Sequence, residues 1–314
     1  MKKFSRIILF GGNPVFKLHK NIFNIKHKEY LYALIATFFW STMASAFKLT
    51  LGILDQNILQ LLLFSSWVSV IALFFYIVFT GRLKLLKQTT SKDIRSSLIM
   101  GLLNPCMYYL ILFRAYTLLP GQEAGTLNYT WPIALTLLSI PLLKQKIKLI
   151  HIVAILVGFT GVLIISTQGH VFSLQFTNFT GALLAVGSSF VWALYWIFNV
   201  RDKRDVQVKL FMNFCFGFVI LLILAILTGN LSLPPLSGAA GIVWVGLFEM
   251  GLTYVFWLKA LELAPRTSSV SNLVYLSPFL SLFFLQTVVK EDILLSSVVG
   301  LTLIIAGILL QRRE

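Results

Sequence analysis

Glu249 is the residue whose type and setting most invite chemistry. It sits in Leu247-Phe-Glu-Met-Gly251, near the middle of an apolar run reaching from 238 to 260. Holding a charge inside a bilayer costs about 3 kcal/mol on insertion scales, so such a group faces a cavity or a partner. There it can exchange a proton or receive the ammonium group of a solute. The plainer alternative is a structural carboxylate hydrogen-bonded to a neighbouring helix. Lys48 lies seven residues beyond Ser41 and toward the end of its own apolar run. It can meet a solute carboxylate at a cavity mouth, or simply extend its long stem to the interface. Asn128, one turn before Pro132, offers both a donor and an acceptor to an amino or carboxyl group, or to a neighbouring helix. Pro132 and Pro278 each remove a backbone donor within an apolar run, which suits a hinge or a cavity wall. Arg114 and Glu123 are expected to pair with each other at one surface, or Arg114 to extend into the interface.

Other familiar chemistry has no sequence support. His19, His27, His151 and His170 fall in the N-terminal tail, at a helix start and in a loop, so none suggests a buried proton relay. Cys106 and Cys215 stand far apart inside apolar runs, which points to packing rather than a disulfide or a metal site. There is no Walker A sequence, HExxH, GxSxG or CxxC. No cofactor, metal or hydrolytic centre is therefore expected.

Composition dictates what must position these residues. Of 314 residues 58% are hydrophobic and 12% charged, with a mean hydropathy of +0.86. Soluble domains carry about twice that charged fraction, so a soluble enzyme, a nucleic-acid-binding domain and a disulfide scaffold are all excluded. Ten apolar runs fall at approximately 30–50, 58–80, 96–118, 121–143, 149–167, 179–199, 208–228, 238–260, 267–288 and 294–310. Each is long enough to span a bilayer, allowing for tilt. Backbone in hydrocarbon must satisfy its own hydrogen bonds, and these runs lack the alternation of barrel strands, so helices are predicted. The expected fold is an all-α polytopic membrane protein with ten transmembrane helices.

Charge sets the orientation. With the basic tail at 1–29 placed in the cytosol, 23 of the 26 Lys and Arg residues fall on that side. This follows the positive-inside rule and accounts for the net charge of +15 without a nucleic-acid partner. Both termini are predicted to be cytosolic, with no cleaved signal, and the tail can lie on an anionic leaflet.

The halves repeat. Asn128-Tyr-Thr-Trp-Pro132 is echoed by Val274-Tyr-Leu-Ser-Pro278 at a shift of 146, which also carries Ile147 onto Ile293 and Gly161 onto Gly307. Ala115 and Pro120 match Ala260 and Pro265 at a shift of 145, and Trp40-Ser-Thr-Met has a counterpart in Trp192-Ala-Leu-Tyr. A five-span unit has an odd number of crossings, so its second copy must be inverted. Inverted repeats are an architecture of alternating-access transporters, with the site at the repeat interface. The expected division is a first repeat at 30–167, a linker at 168–178 and a second repeat at 179–311.

With these residues in hand, the chain resembles the drug/metabolite transporter superfamily, built from two EamA-type repeats. Trp40-Ser-Thr-Met with Lys48, Glu123 before Asn128-Tyr-x-Trp-Pro132, and Trp192-Ala-x-Tyr195 are most similar to the bacterial aromatic amino-acid exporter branch. The chain departs from that branch at Asn104-Pro105 and at Glu291-Asp292. The resemblance implies export of amino acids or small metabolites across the bacterial inner membrane, driven by proton or substrate gradients. It also implies that Trp40, Tyr108, Tyr129, Trp131, Trp192, Tyr195, Tyr254 and Tyr275 lie on cavity-lining spans, where Lys48 and Asn128 join them. Such walls suit a planar or amphipathic solute, although core packing competes for any single ring. Tyr30, Tyr32, Trp67 and Tyr76 are expected in the interfacial belt. Glu249 is the expected proton-coupling residue, and Pro132 and Pro278 the hinges. The expected partners are a small-molecule substrate and membrane lipids. Competing readings are an importer or exchanger on the same fold, or a flippase for a lipid-linked substrate with a groove open to lipid. Loops this short leave no room for a soluble active site, and no filter-like loop suggests a channel.

Overall fold

The computed structural model describes residues 28–144, 149–172, 176–263 and 272–311. The basic tail through His27, Lys146, Lys148, Pro265, Arg266, Arg312 and Arg313 lie outside these residues. The described residues are 83% helical, with no strand among them. Their α-helices of eight or more residues are α1 (Lys28–Ile53), α2 (Ile58–Phe79), α3 (Ser91–Gly101), α4 (Tyr108–Leu118), α5 (Gly121–Asn128), α6 (Trp131–Leu143) and α7 (Leu149–Ser166). There follow α8 (Phe179–Arg201), α9 (Val206–Leu227), α10 (Leu236–Trp244), α11 (Leu252–Leu263), α12 (Ser277–Phe284) and α13 (Leu295–Gln311). Six helical runs are long and apolar enough to cross a membrane: 28–53, 58–79, 91–118, 179–199, 206–227 and 236–257. Shorter apolar helices cover 152–166, 273–289 and 295–310.

Several runs that read as continuous in sequence are broken. A π-turn at Leu102–Met107 separates α3 from α4, where Pro105 has no N–H to donate and Asn104 leaves helical geometry. A second π-turn, Val245–Glu249, separates α10 from α11. Tyr129 and Thr130 form a turn between α5 and α6, and a 3-10 turn at Asn272–Leu276 precedes α12. Pro132 and Pro278 therefore stand in the first turn of a new helical segment, where a missing N–H has no intrahelical partner to lose. The helical runs expected to be continuous are broken just before the two prolines.

Packing follows the sequence pattern of small residues. Helices α7 and α13 cross where Gly161 meets Gly300: a Cβ on Gly161 would lie 2.5 Å from the Gly300 carbonyl oxygen. Gly307 likewise lies against the Ala154 backbone. Close helix contact through glycine is the membrane packing mode expected of these residues. Large apolar side chains face outward, among them Phe79, Leu227 and Leu236, as lipid contact requires. Trp67 is exposed, while Tyr32 and Tyr76 hold the Lys259 ammonium 5.8 and 5.7 Å from their ring centres.

Candidate functional site

The broken helices surround a cavity of about 240 Å3. It runs along α1 from Trp40 to Phe47, about 10 Å at the rise of an α-helix. Ten of the residues expected at the site line it: Trp40, Tyr108, Asn128, Tyr129, Trp131, Trp192, Glu249, Tyr254, Tyr275 and Pro278. Lys48, Pro132 and Tyr195 do not.

The aromatic walls are built from rings that brace one another. Trp192 stacks on Tyr108 at 4.7 Å between ring centres and on Tyr195 at 5.7 Å. Trp40 meets Tyr254 at 6.0 Å and Trp257 at 5.5 Å. These distances fall in the range of favourable offset and edge contacts. Tyr195 is 1% exposed and supports Trp192 from behind rather than facing the cavity.

The repeat-related motifs meet directly. The Tyr129 hydroxyl donates to the Val274 carbonyl at 2.7 Å and lies 3.2 Å from the Ser277 Oγ. Sequence equivalence between Asn128–Pro132 and Val274–Pro278 thus becomes contact in space. Asn128 donates through Nδ2 to Ser188 Oγ at 2.8 Å and accepts from the Tyr108 hydroxyl at 3.1 Å. Both ends of its amide serve bonds between helices, which favours the packing reading raised for it. Thr130 makes a parallel bond to Ser189 at 3.1 Å.

Glu249 ends the second π-turn and faces the cavity. Its Oε1 accepts from the Tyr109 hydroxyl at 3.0 Å. Among the described residues no Lys or Arg forms an ion pair with it.

Polar contacts around the α5 N-terminus border the cavity, which Gly121 and Gln122 line. Glu291 accepts from the Gly121 and Gln122 backbone N–H groups, each at 2.9 Å. Gln122 also donates to the Asp292 carbonyl at 2.7 Å and accepts from the Leu294 N–H at 2.9 Å. Two N–H groups with no intrahelical acceptor thereby gain a carboxylate. Lys48 lies beside this knot, donating to the Tyr116 and Leu119 carbonyls at 2.9 and 2.6 Å. It neither reaches the cavity nor extends outward. Glu123 and Arg114 do not pair, which leaves the other expectation for Arg114, extension toward the interface. Glu123 is fully buried and accepts from Gln168 and Thr177, whereas Arg114 is exposed and bonds within its own turn. Between the two residues Leu119 caps the end of α4 and Pro120 the start of α5.

A separate knot of charges joins the loop before α3 and the first turn of α3 to the loop after α8. Arg204 bonds Asp202 at 2.5 Å and approaches Asp93 at 3.7 Å, and Arg82 bonds Asp205 at 3.1 Å. Burial acts to raise the Asp202 pKa, but the hydrogen bonds and charge of Arg204 outweigh it and hold the carboxyl below its ordinary value.

Trp196, Trp257, Gln122, Ser277 and Ser281 also line the cavity and were not singled out from sequence. Helical spacing carried a signal for two of them: Trp196 follows Trp192 by four residues, and Trp257 follows Tyr254 by three. Ser277 stands in the repeated motif at the position matching Trp131, and Ser281 carried no signal.

A partly open aromatic cavity among broken helices, several of them long and apolar enough to cross a membrane, fits the class of multi-pass membrane transporters. A sequence profile of the EamA-like transporter family matches residues 27–167 and again 179–312, so the chain belongs to that family. It is 26% identical over 291 residues to an uncharacterised transporter of Clostridium kluyveri, covering 89% of this chain and 91% of that one. It is 25% identical over 152 residues to the aromatic amino acid exporter YddG of Ancylobacter novellus, covering 48% of this chain and 53% of the exporter. A crystal structure 22% identical in sequence shares the fold, with a TM-score of 0.62 over 90% of this chain and 96% of that one.

Proposed function

We propose that the chain is a secondary transporter, an exporter of amino acids or small metabolites, working by alternating access. Its ten runs are ten membrane spans forming two inverted five-helix repeats, 30–167 and 179–311, joined by the linker 168–178. Both termini lie in the cytosol of a bacterial cell, and the spans cross the inner membrane. The basic loops support this orientation.

One observation carries the reading: a partly open cavity lies where the two copies of the tyrosine–proline motif touch. A site on that seam is exposed to one face or the other when the repeats rock against each other. Its size favours a small solute over a lipid-linked one, since about 300 Å3 marks the lower end for drug-sized ligands. Stacked Trp and Tyr walls suit a planar side chain, and the relative named as an aromatic amino acid exporter supports that choice. Glu249, the carboxylate on the cavity wall, is the group we assign to proton coupling. The breaks before Pro132 and Pro278 are the hinges.

Uptake and counterflow in proteoliposomes test the substrate, using labelled phenylalanine, tyrosine and tryptophan with threonine and a cationic dye as contrasts. Selective exchange of the aromatic amino acids supports the reading. Exchange of threonine alone keeps the transporter and discards the aromatic substrate. No exchange by folded protein contradicts it.

A further inference from the structure

Among the described residues lining the cavity, Glu249 is the one charged side chain; no Lys, Arg or His joins it. The cation expected from sequence to meet a solute carboxylate, Lys48, is bonded instead to two backbone carbonyls outside the cavity. The remaining polar lining consists of neutral hydroxyl and amide groups. Around it stand electron-rich ring faces, with Trp40 bridging Tyr254 and Trp257 at 6.0 and 5.5 Å. A carboxylate with one hydrogen bond, from Tyr109, and a wall of indole and phenol rings is complementary to a positive charge.

We propose that this site recognises its solute through an ammonium group set against Glu249, and that aromatic amines are its preferred chemical class. This rests on the transporter reading for the location of the site. An ammonium gains a counter-charge and ring faces on entering. A solute carboxylate finds neutral donors alone, and a purely anionic solute also meets repulsion from Glu249. A zwitterionic amino acid gains the first interaction and bears the second penalty. The decarboxylated amine therefore binds at least as tightly as its parent amino acid.

The test is equilibrium binding to the full chain in detergent, followed by quenching of protein tryptophan fluorescence. The probes are phenethylamine, phenylalanine and 3-phenylpropionate, which share a ring and differ in charge. We expect phenethylamine to bind at least as tightly as phenylalanine and at least ~10-fold more tightly than 3-phenylpropionate, a factor equal to about 1.4 kcal/mol. Glu249→Gln should weaken phenethylamine by a similar factor without weakening 3-phenylpropionate. Glu249→Asp, which keeps the charge, should preserve the order, and it guards against a folding defect in the first variant. Equal or tighter binding of 3-phenylpropionate, wild-type amine affinity in folded Glu249→Gln, or no binding of any probe overturns the proposal. Amine binding without counterflow of any solute contradicts the transporter reading alone. Counterflow of an anion with no amine binding contradicts this proposal alone.

Discussion

Trp192 is the ring on which the aromatic wall depends, because Tyr108, Tyr195, Trp196 and Tyr254 all contact it. Trp192→Ala is expected to weaken solute affinity by about tenfold, or ~1.4 kcal/mol, while Trp192→Phe retains most of it. Equilibrium binding by folded protein checks this, and wild-type affinity in Trp192→Ala assigns the ring to packing. Away from the cavity, Arg204→Ala removes the charge-assisted bonds to Asp202 and should cost about 2 kcal/mol of stability near neutral pH. Because Asp202 titrates below its ordinary value when folded, that stabilisation is present above the ordinary value and is lost as pH falls through the lowered one. The melting curves of wild type and variant should therefore converge in acid. At this scale the sequence was informative where burial alone decides. The cavity-lining rings follow from the family resemblance, whereas Glu249 stands out because its neighbours in the chain are apolar. Lys48 did not, since its acceptors lie 68 and 71 residues away and exist once the α4–α5 corner has folded.

Helices carry the mechanism at the next scale. The breaks in the helices were half legible: Pro132 and Pro278 announced irregular backbone, but not that each opens a new segment. The π-turn ending at Glu249 contains no proline and left no trace in the sequence. The Glu291 knot was visible as an acidic pair out of keeping with the related branch, yet its role depends on meeting Gly121 and Gln122 about 170 residues away. Alternating access requires that knot to break, because it joins a helix of the first repeat to a loop of the second. Glu291→Ala removes two hydrogen bonds to a charged group, worth about 2 kcal/mol together, and so shifts the balance toward the opened face by roughly tenfold or more. A cysteine at Ser281, on the cavity wall, should then react correspondingly faster with a membrane-impermeant maleimide from that face. An unchanged rate makes the knot a static cap. The α7–α13 crossing should be intolerant of bulk. Gly300→Leu places atoms within 2.7 Å of the Gly161 carbonyl and is expected to destabilise the protein by about 2 kcal/mol, read as a lowered melting temperature.

At the scale of the whole molecule, two sequence copies, two matching helix breaks and one cavity on their seam form a single argument. Composition and charge pattern were enough to reach a multi-pass membrane protein, and collinear repeats pointed to the seam between halves, where the cavity lies. What they do not contain is the shape of the cavity, which depends on rotamers of rings supplied by several helices. The central claim is that one site is reached in turn from both faces of the membrane. The most direct measurement is thiol accessibility at Ser281→Cys in a background without Cys106 and Cys215, labelled separately from each face of oriented vesicles. The account predicts reaction from both faces, with a transported solute slowing both by occupying the cavity. Reaction confined to one face under every gradient and solute tested would contradict it.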